Sequence, residues 1–279
     1  MIRYLIPLSI FIYTAFSLAQ NNPLTASEMQ RLLFITEASG TSATIVNPAG
    51  LARRPADDGL YANYSFDLDN DIKDANFCFS IGNIGLGYQN FMLNPDLENI
   101  ELHYYRIGLA MGGRIFSFGT SNKLIDIQGN GVQERVFSVD AGFIFEPIKW
   151  ITLAGYGRNL DEPFIKGIQY RREYTAGISL NTPENILRIL FEGKWNESTL
   201  YFEDADFKAG FAISPLIGRE LDIIIGGIRN LTYDEQYFAM IRVPIWGCIQ
   251  AAAAIRVNQN WETQRFFTAL LFPLQTVTF

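Results

Sequence analysis

The chain has 279 residues, 48% of them apolar, with 22 Phe and 13 Tyr, and a net charge of −7. No basic stripe offers the phosphate contacts that a nucleic-acid partner needs, so that class of function is excluded. Beyond the N-terminus no uninterrupted apolar stretch reaches the ~18 residues of a membrane helix, which leaves a secreted soluble protein or a membrane protein built from strands.

The chain opens with MIRYLIPLSIFIYTAFSLAQ. Arg3, an apolar run from Tyr4 to Phe16 and the small residues Ser17 and Ala19 form the pattern of a secretory signal peptide, residues 1–19, cut after Ala19. An N-terminal membrane anchor is the alternative, and the run is short for a span of ~20 residues. No Cys follows the cut, so a lipid anchor is not expected. Residues 20–58 do not read as strand. TASEMQRLLFI (25–35) predicts one short helix, with Thr25 or Ser27 as its N-cap and Met29, Leu32 and Leu33 apolar. In EASGTSATIVNPAGLARRP (37–55), Asn47-Pro48 and Gly50 mark turns.

From residue 59 onward apolar and polar residues alternate. Phe137, Val139, Ala141, Phe143 and Phe145 share one face, and Ser138, Asp140 and Gly142 the other. Residues 171–180, 186–195 and 204–213 repeat the pattern. A period of two means strand, with one apolar and one polar face. Fourteen strands are predicted: 59–67, 74–82, 84–93, 99–111, 113–122, 134–145, 150–159, 170–180, 186–195, 204–213, 220–229, 235–243, 246–257 and 264–272. Each is about ten residues, the length that crosses a bilayer when tilted. One set of connections is tight: Gly82-Asn83, Gly112-Gly113, EPIKW, NTPEN, SPLIGRE and VPIWG, with the Pro at the turn. The other set is more polar and seven to eleven residues long, including KLIDIQGNGVQ (123–133) and LDEPFIKGIQ (160–169). An even strand count with short turns at one rim and longer loops at the other is the plan of an outer-membrane barrel. Tyr61, Tyr64, Phe91, Tyr104, Tyr105, Trp150, Trp195, Tyr237, Trp246 and Trp261 near strand ends fit interfacial girdles. A soluble sandwich or propeller could show the same alternation, but not the strand length, the regular hairpins and the amount of outward Phe.

The fold class is therefore all-β: a transmembrane antiparallel barrel of about fourteen strands over residues 59–279, preceded by a segment over 20–58 that is expected inside it. A lumen this wide cannot be filled by wall side chains alone. Asp140, Arg158, Arg171, Glu173, Arg188, Glu192, Lys194, Asp206, Lys208, Asp222, Arg242 and Arg256 are predicted to line that lumen. Their mixed signs suit ion pairs that hold an internal plug, or a polar permeation path.

An exported chain with NPAGLA (47–52) shortly before its first strand resembles the FadL/PorV-like superfamily of outer-membrane barrels. The match lies on Asn47, Pro48, Ala49 and Gly50, extended by Leu51, with Pro55 before the first strand. The resemblance implies a fourteen-stranded barrel closed by an N-terminal hatch that contains this motif. It implies one of two roles. FadL-like members pass hydrophobic molecules across the outer membrane and release them sideways. PorV- and PorQ-like members serve protein secretion and surface attachment. The short outward loops here depart from the fatty-acid transporters, whose extended loops form a first capture site, and the compact size resembles the PorV/PorQ side. The implied partners are outer-membrane lipid with either a small hydrophobic ligand or a secretion-system or surface-protein partner. Phe279, with Val277 at spacing two, looks like the signal read by the barrel-assembly machinery.

Enzymatic chemistry is not expected, and neither a cofactor nor a metal is implied. The one His, His103, reads as a rim residue beside Glu101 and Tyr104. GNIGLG (82–87) leads into a strand, so it is a hairpin and not a nucleotide loop. DLDNDIKD (67–74) lacks the Gly and the final Glu of a calcium loop and reads as a solvated acidic loop. Cys78 and Cys248 read as small strand residues.

Overall fold

The computed structural model describes residues 28–53, 58–69, 72–92, 101–129, 132–165, 168–182, 186–197, 205–215, 221–230, 234–246 and 249–273. The expected signal peptide, Cys248 and Phe279 lie outside them.

The strands are β1 (Gly59–Phe66), β2 (Ile72–Ile81), β3 (Ile84–Met92), β4 (Glu101–Gly112), β5 (Phe116–Gly129), β6 (Val132–Ile148) and β7 (Ile151–Arg158). Two short strands, β8 (Phe164–Ile165) and β9 (Ile168–Gln169), form a separate small hairpin. Then come β10 (Glu173–Asn181), β11 (Leu187–Asn196), β12 (Asp206–Ile213), β13 (Asp222–Asn230), β14 (Asp234–Trp246), β15 (Ile249–Asn258) and β16 (Thr263–Pro273). Fourteen of them form a closed barrel, each hydrogen-bonded to its neighbour in chain order. Closure is the antiparallel pairing of β1 with β16, from Gly59 opposite Pro273 to Phe66 opposite Phe266.

The alternation sets the two faces. Along β12, Phe207, Phe211 and Ile213 are exposed while Lys208, Gly210 and Ala212 are buried. The same parity exposes Phe143 and Phe145 on β6 and Ile223 and Ile225 on β13. A closed wall with an apolar exterior and no free edge is the strand-built solution to a lipid environment, so this barrel spans the outer membrane.

Several local expectations are corrected. Within the predicted loop at 123–133, residues 123–129 and 132–133 are strand, because β5 and β6 stay paired until Gly129 meets Val132. Two of the prolines expected at turns lie within strands instead, whereas Pro215 is in the β12–β13 connection and Pro183 lies outside the described residues. Pro147 lies at a register shift between Phe145 and Ile148, and β6 continues beyond it; Pro244 lies at another, between Pro244 and Trp246. Pro147 is among the residues its bulge leaves unpaired, where a residue without an N–H can sit, and Pro244 borders its bulge while still opposite Gln250. The β6–β7 turn is thus at Lys149-Trp150 and not at Glu146-Pro147. Tyr61, Phe91 and Tyr104, assigned to the girdles, are buried on the inner face. Arg171, assigned to the lumen, is exposed in the loop before β10.

The segment before the barrel forms helix α1 (Glu28–Leu32), helix α2 (Gly40–Val46) and a 3₁₀ turn over Pro48–Ala52. Met29, Leu32, Phe34, Ile45 and Leu51 are almost fully buried, in one cluster with inward residues of the wall such as Leu190, Ile224, Phe238 and Phe267. Each such side chain contributes roughly 1.5–3 kcal/mol when removed from water. The segment therefore lies inside the barrel.

Candidate functional site

The inner segment is seated by close approach to the wall. Asn47 follows α2 in extended backbone and caps the next turn, its Oδ1 accepting from Ala49 N at 3.2 Å. Its Nδ2 donates to the carbonyl oxygens of Phe143 at 3.4 Å and Gly155 at 3.5 Å. Two glycines make room. A Cβ on Gly142 would stand 2.1 Å from Asn47 Oδ1, and one on Gly119 would stand 2.4 Å from the Pro48 carbonyl carbon. Any side chain at either position displaces the turn.

Polar contacts fix the rest of the segment. Thr41 and Ser80 share a hydrogen bond of 2.9 Å. Arg53 donates to Thr36 O and forms an ion pair with Glu146, both at 2.8 Å, near the short-turn rim. Ile35 N donates to Glu192 Oε2 at 2.9 Å. Lys208 meets Glu192 at 2.8 Å, donates to Leu33 O at 2.8 Å, and stands 4.6 Å from the centre of the Phe34 ring. Arg188 reaches Glu37 at 3.4 Å.

A polar ladder crosses the inner wall from β1 to β7. Asn76 donates to Asn63, Gln89 to Asn76 and Arg106 Nε to Gln89, at 2.7–2.8 Å. Arg106 Nη1 and Lys123 Nζ both close on Asp140, at 2.8 and 2.7 Å. Tyr156 Oη and Asn159 N donate to the same carboxylate at 2.9 and 3.0 Å. Asp140 is fully buried, so only this set of donors compensates its lost hydration. A second run joins Arg158 to Glu173 at 3.0 Å and Lys194 to Glu173 and Asp206 at 3.8 and 3.9 Å. Above the ladder, toward the rim of longer loops, Phe91, Leu102, Tyr104, Ile125, Ile127 and Tyr170 form a small apolar cluster. Tyr170 lies in the loop after β7, and burial raises its hydroxyl above the usual range, with Glu134 adding to the shift.

Opposite this wall the inner face is richer in apolar residues: Leu190, Ala212, Ile224, Phe238, Met240, Ala254, Phe267 and Ala269 are all buried there, between the paired charges of Arg188, Glu192, Lys208, Asp222 and Arg242. Between the apolar face and the inner segment lies a cavity of about 240 Å³. Leu33, Ser42, Tyr61, Met240, Ala252 and Leu271 line it, together with the charged residues Glu37, Arg188, Asp222 and Arg242. Arg242 pairs with Asp222 at 2.7 Å, and Arg188 with the same carboxylate at 3.0 Å. A larger concavity of about 680 Å³ spans β10–β14, bordered by Phe191, Phe207 and Tyr237. Those side chains are on the exposed face and the strands behind them pair without a register shift, so this hollow faces lipid. The internal cavity is the candidate site.

Of the residues predicted to line the lumen, Asp140, Arg158, Glu173, Arg188, Glu192, Asp206, Lys208 and Arg242 take part in the ion pairs above. Arg256 donates to Gln236 at 2.6 Å and belongs to neither run. Arg188, Asp222 and Arg242 reach the cavity. Asn47, Pro48, Ala49 and Gly50 are buried against β4–β6, away from it. Arg106, Lys123, Gln89, Asn76 and Asn63 were missed. The period-two pattern, carried back through β1–β5, marks each as inward, since Tyr64, Phe77, Tyr105 and Ile107 alternate with them on the exposed face.

No family model matches the chain, and no curated protein matches it. Solved structures do. It is similar to the CymD monoaromatic hydrocarbon channel (TM-score 0.59, 10% identity, 89% of this chain and 97% of that one). It is similar to the TodX monoaromatic hydrocarbon channel in a deltaS2 mutant (TM-score 0.55, 10% identity, 89% and 96%). It is also similar to the Ralstonia pickettii toluene transporter TbuX (TM-score 0.51, 10% identity, 89% and 98%). At these identities the likeness is one of fold: the chain shares the closed-barrel architecture of these channels.

Proposed function

We propose that this barrel passes small hydrophobic molecules across the outer membrane, by way of the cavity between the inner segment and the wall. The cavity carries the reading. Polar side chains form most of its lining, and an apolar solute exchanges water for protein on the side formed by Met240, Ala252 and Leu271. The shared fold with two monoaromatic hydrocarbon channels and a toluene transporter supports the same reading. In it, residues 20–58 act as a hatch. Asn47, Pro48, Ala49 and Gly50 anchor that hatch, and the charged residues Asp140, Arg158, Glu173, Glu192, Asp206 and Lys208 hold it and the lumen in place without touching the solute.

The test is toluene uptake by cells that depend on this barrel, with Ala252→Leu filling the cavity. The variant is expected to slow uptake to the rate of a deletion strain, while its gel mobility still changes on boiling, as a folded barrel requires. Uptake unchanged both in the variant and in the deletion strain overturns the reading. Loss of surface-protein display in the deletion strain, with uptake unchanged, would assign the barrel to secretion instead.

A further inference from the structure

The outer mouth of the lumen holds a ring that the wall does not supply. In the cluster of Phe91, Leu102, Tyr104, Ile125, Ile127 and Tyr170, the first five stand on β3, β4 and β5, and Tyr170 comes from the connection between β7 and β10. The five wall residues form a seat on the inner face. Phe91 and Tyr104 meet in it edge to face, with 5.1 Å between ring centres, a geometry that favours further aromatic contacts. Tyr170 is only 6% exposed there. A tyrosine side chain is para-cresol on a backbone tether, so the seat already holds a single-ring aromatic group that belongs to the protein.

The tether can lift without opening the wall. Glu173, the first residue of β10, stands opposite Arg158, the last of β7, and the two form an ion pair at 3.0 Å beneath the loop. The departing arm is pinned to β6: Leu160 N donates to Val139 O at 2.9 Å, and Asp161 Oδ1 accepts from Ser138 Oγ and Val139 N at 2.9 and 3.0 Å. The returning arm, which carries Tyr170, is held differently. Backbone pairing with the neighbouring strand reaches Arg172, whose O accepts from Glu197 N at 3.1 Å, and Tyr170 lies outside that pairing. The bond from Tyr170 N to Pro163 O, at 2.9 Å, stays inside the loop. Arg172 pairs with Glu162 at 3.2 Å and Glu197 at 3.4 Å, its own side chain 38% exposed, and exposed pairs of this kind stabilise little. Burial of the Tyr170 ring is thus the main contact that draws this arm inward.

We infer that the seat formed by Phe91, Leu102, Tyr104, Ile125 and Ile127 is an aromatic-binding site at the outer mouth, in which Tyr170 stands in for the solute. A single-ring aromatic molecule such as toluene or cresol, arriving from outside, replaces Tyr170 and releases the returning arm. The site is separate from the cavity beside the inner segment. As a step in uptake it rests on the passage reading above; as a binding site it does not.

Fluorine NMR of the full detergent-solubilised barrel, with 3-fluorotyrosine placed at position 170 alone, tests it. Without solute the resonance should be that of a buried ring, and toluene should transfer it saturably to that of an exposed one. Ile125→Trp, which fills the seat from the wall, should give the exposed resonance with no solute added. Tyr170→Ala removes the competitor. In an Ala252→Leu background, which fills the inner cavity, it should tighten toluene binding at least about tenfold, since an open minor state is at most about a tenth populated. A resonance that toluene leaves in place, or equal toluene affinity with and without Tyr170, overturns the inference. Toluene uptake lost on deletion of the barrel, with the resonance unmoved, keeps the passage reading and removes this site. The reverse pattern keeps the site and removes the passage reading.

Discussion

Asp140 carries more buried polar contacts than any other residue described above. Two cations, a phenol and a backbone N–H converge on it, and none has access to water. Asp140→Asn is expected to destabilise the barrel by about 3–5 kcal/mol, because it leaves Arg106 and Lys123 as uncompensated buried charges. The measurement is the temperature at which the folded band is lost on a gel, which should fall well below that of the parent chain. Gly119 is sensitive for a steric reason. Gly119→Val places a side chain where the Pro48 backbone stands. The wall pairing of Gly119 with Ala110 and Gly142 runs in the plane of the sheet, perpendicular to that side chain, and stays intact. The variant is therefore expected to fold as a barrel but expose residues 28–53 to protease from the short-turn rim, where the parent chain resists cleavage. The inward position of Asp140 was legible from the alternation around it. Its partners were not, because Arg106 and Lys123 come from strands more than fifteen residues away in sequence, with separations of 34 and 17, and a period of two assigns a face without naming a neighbour.

Among the elements, the strands were legible because their signal is local. Ten-residue alternation needs no tertiary information, and the fourteen predicted spans match the barrel strands to within a few residues at most ends. The turns were less legible, because Pro147 and Pro244 punctuate a strand at a bulge instead of ending it. Helix α2 was not legible at all. Its sequence, Gly40-Thr-Ser-Ala-Thr-Ile-Val46, is rich in small and β-branched residues with weak helix propensity. Six of its seven residues are buried against the wall, so tertiary burial makes the helix. It should not persist alone: a synthetic peptide of residues 37–53 is expected to show no helical circular dichroism in water, and a helical spectrum there would contradict this account. The cavity was likewise beyond the sequence, since it lies between α1–α2 and strands more than 150 residues downstream, as the 157-residue separation of Ile35 and Glu192 illustrates.

At the scale of the molecule, the wall has one apolar surface outside and two unlike halves inside. Ile225 stands near the middle of β13 on the lipid face, with 56% of its surface exposed. Ile225→Arg is expected to cost about 2–4 kcal/mol, the range for a cation at the bilayer midplane, and is measured by folding into vesicles against urea. The inner segment closes the space between the two halves. Deletion of residues 28–53 should leave a closed fourteen-stranded wall and raise single-channel ion conductance in planar bilayers; unchanged conductance would mean that the segment does not block the lumen. The seating of that segment also orders events in time. It is synthesised before any strand, yet its binding partners come from almost the whole wall: Thr41 needs Ser80, Arg53 needs Glu146, and Leu33 needs Lys208, 175 residues later. Residues 40–53 can dock once β2–β6 exist, whereas residues 29–37 must wait for β10–β12. The first part of the protein to be made is thus the last to find its place, and until then its Met29, Leu32 and Phe34 are exposed apolar surface that something in the compartment outside the inner membrane must tolerate or cover.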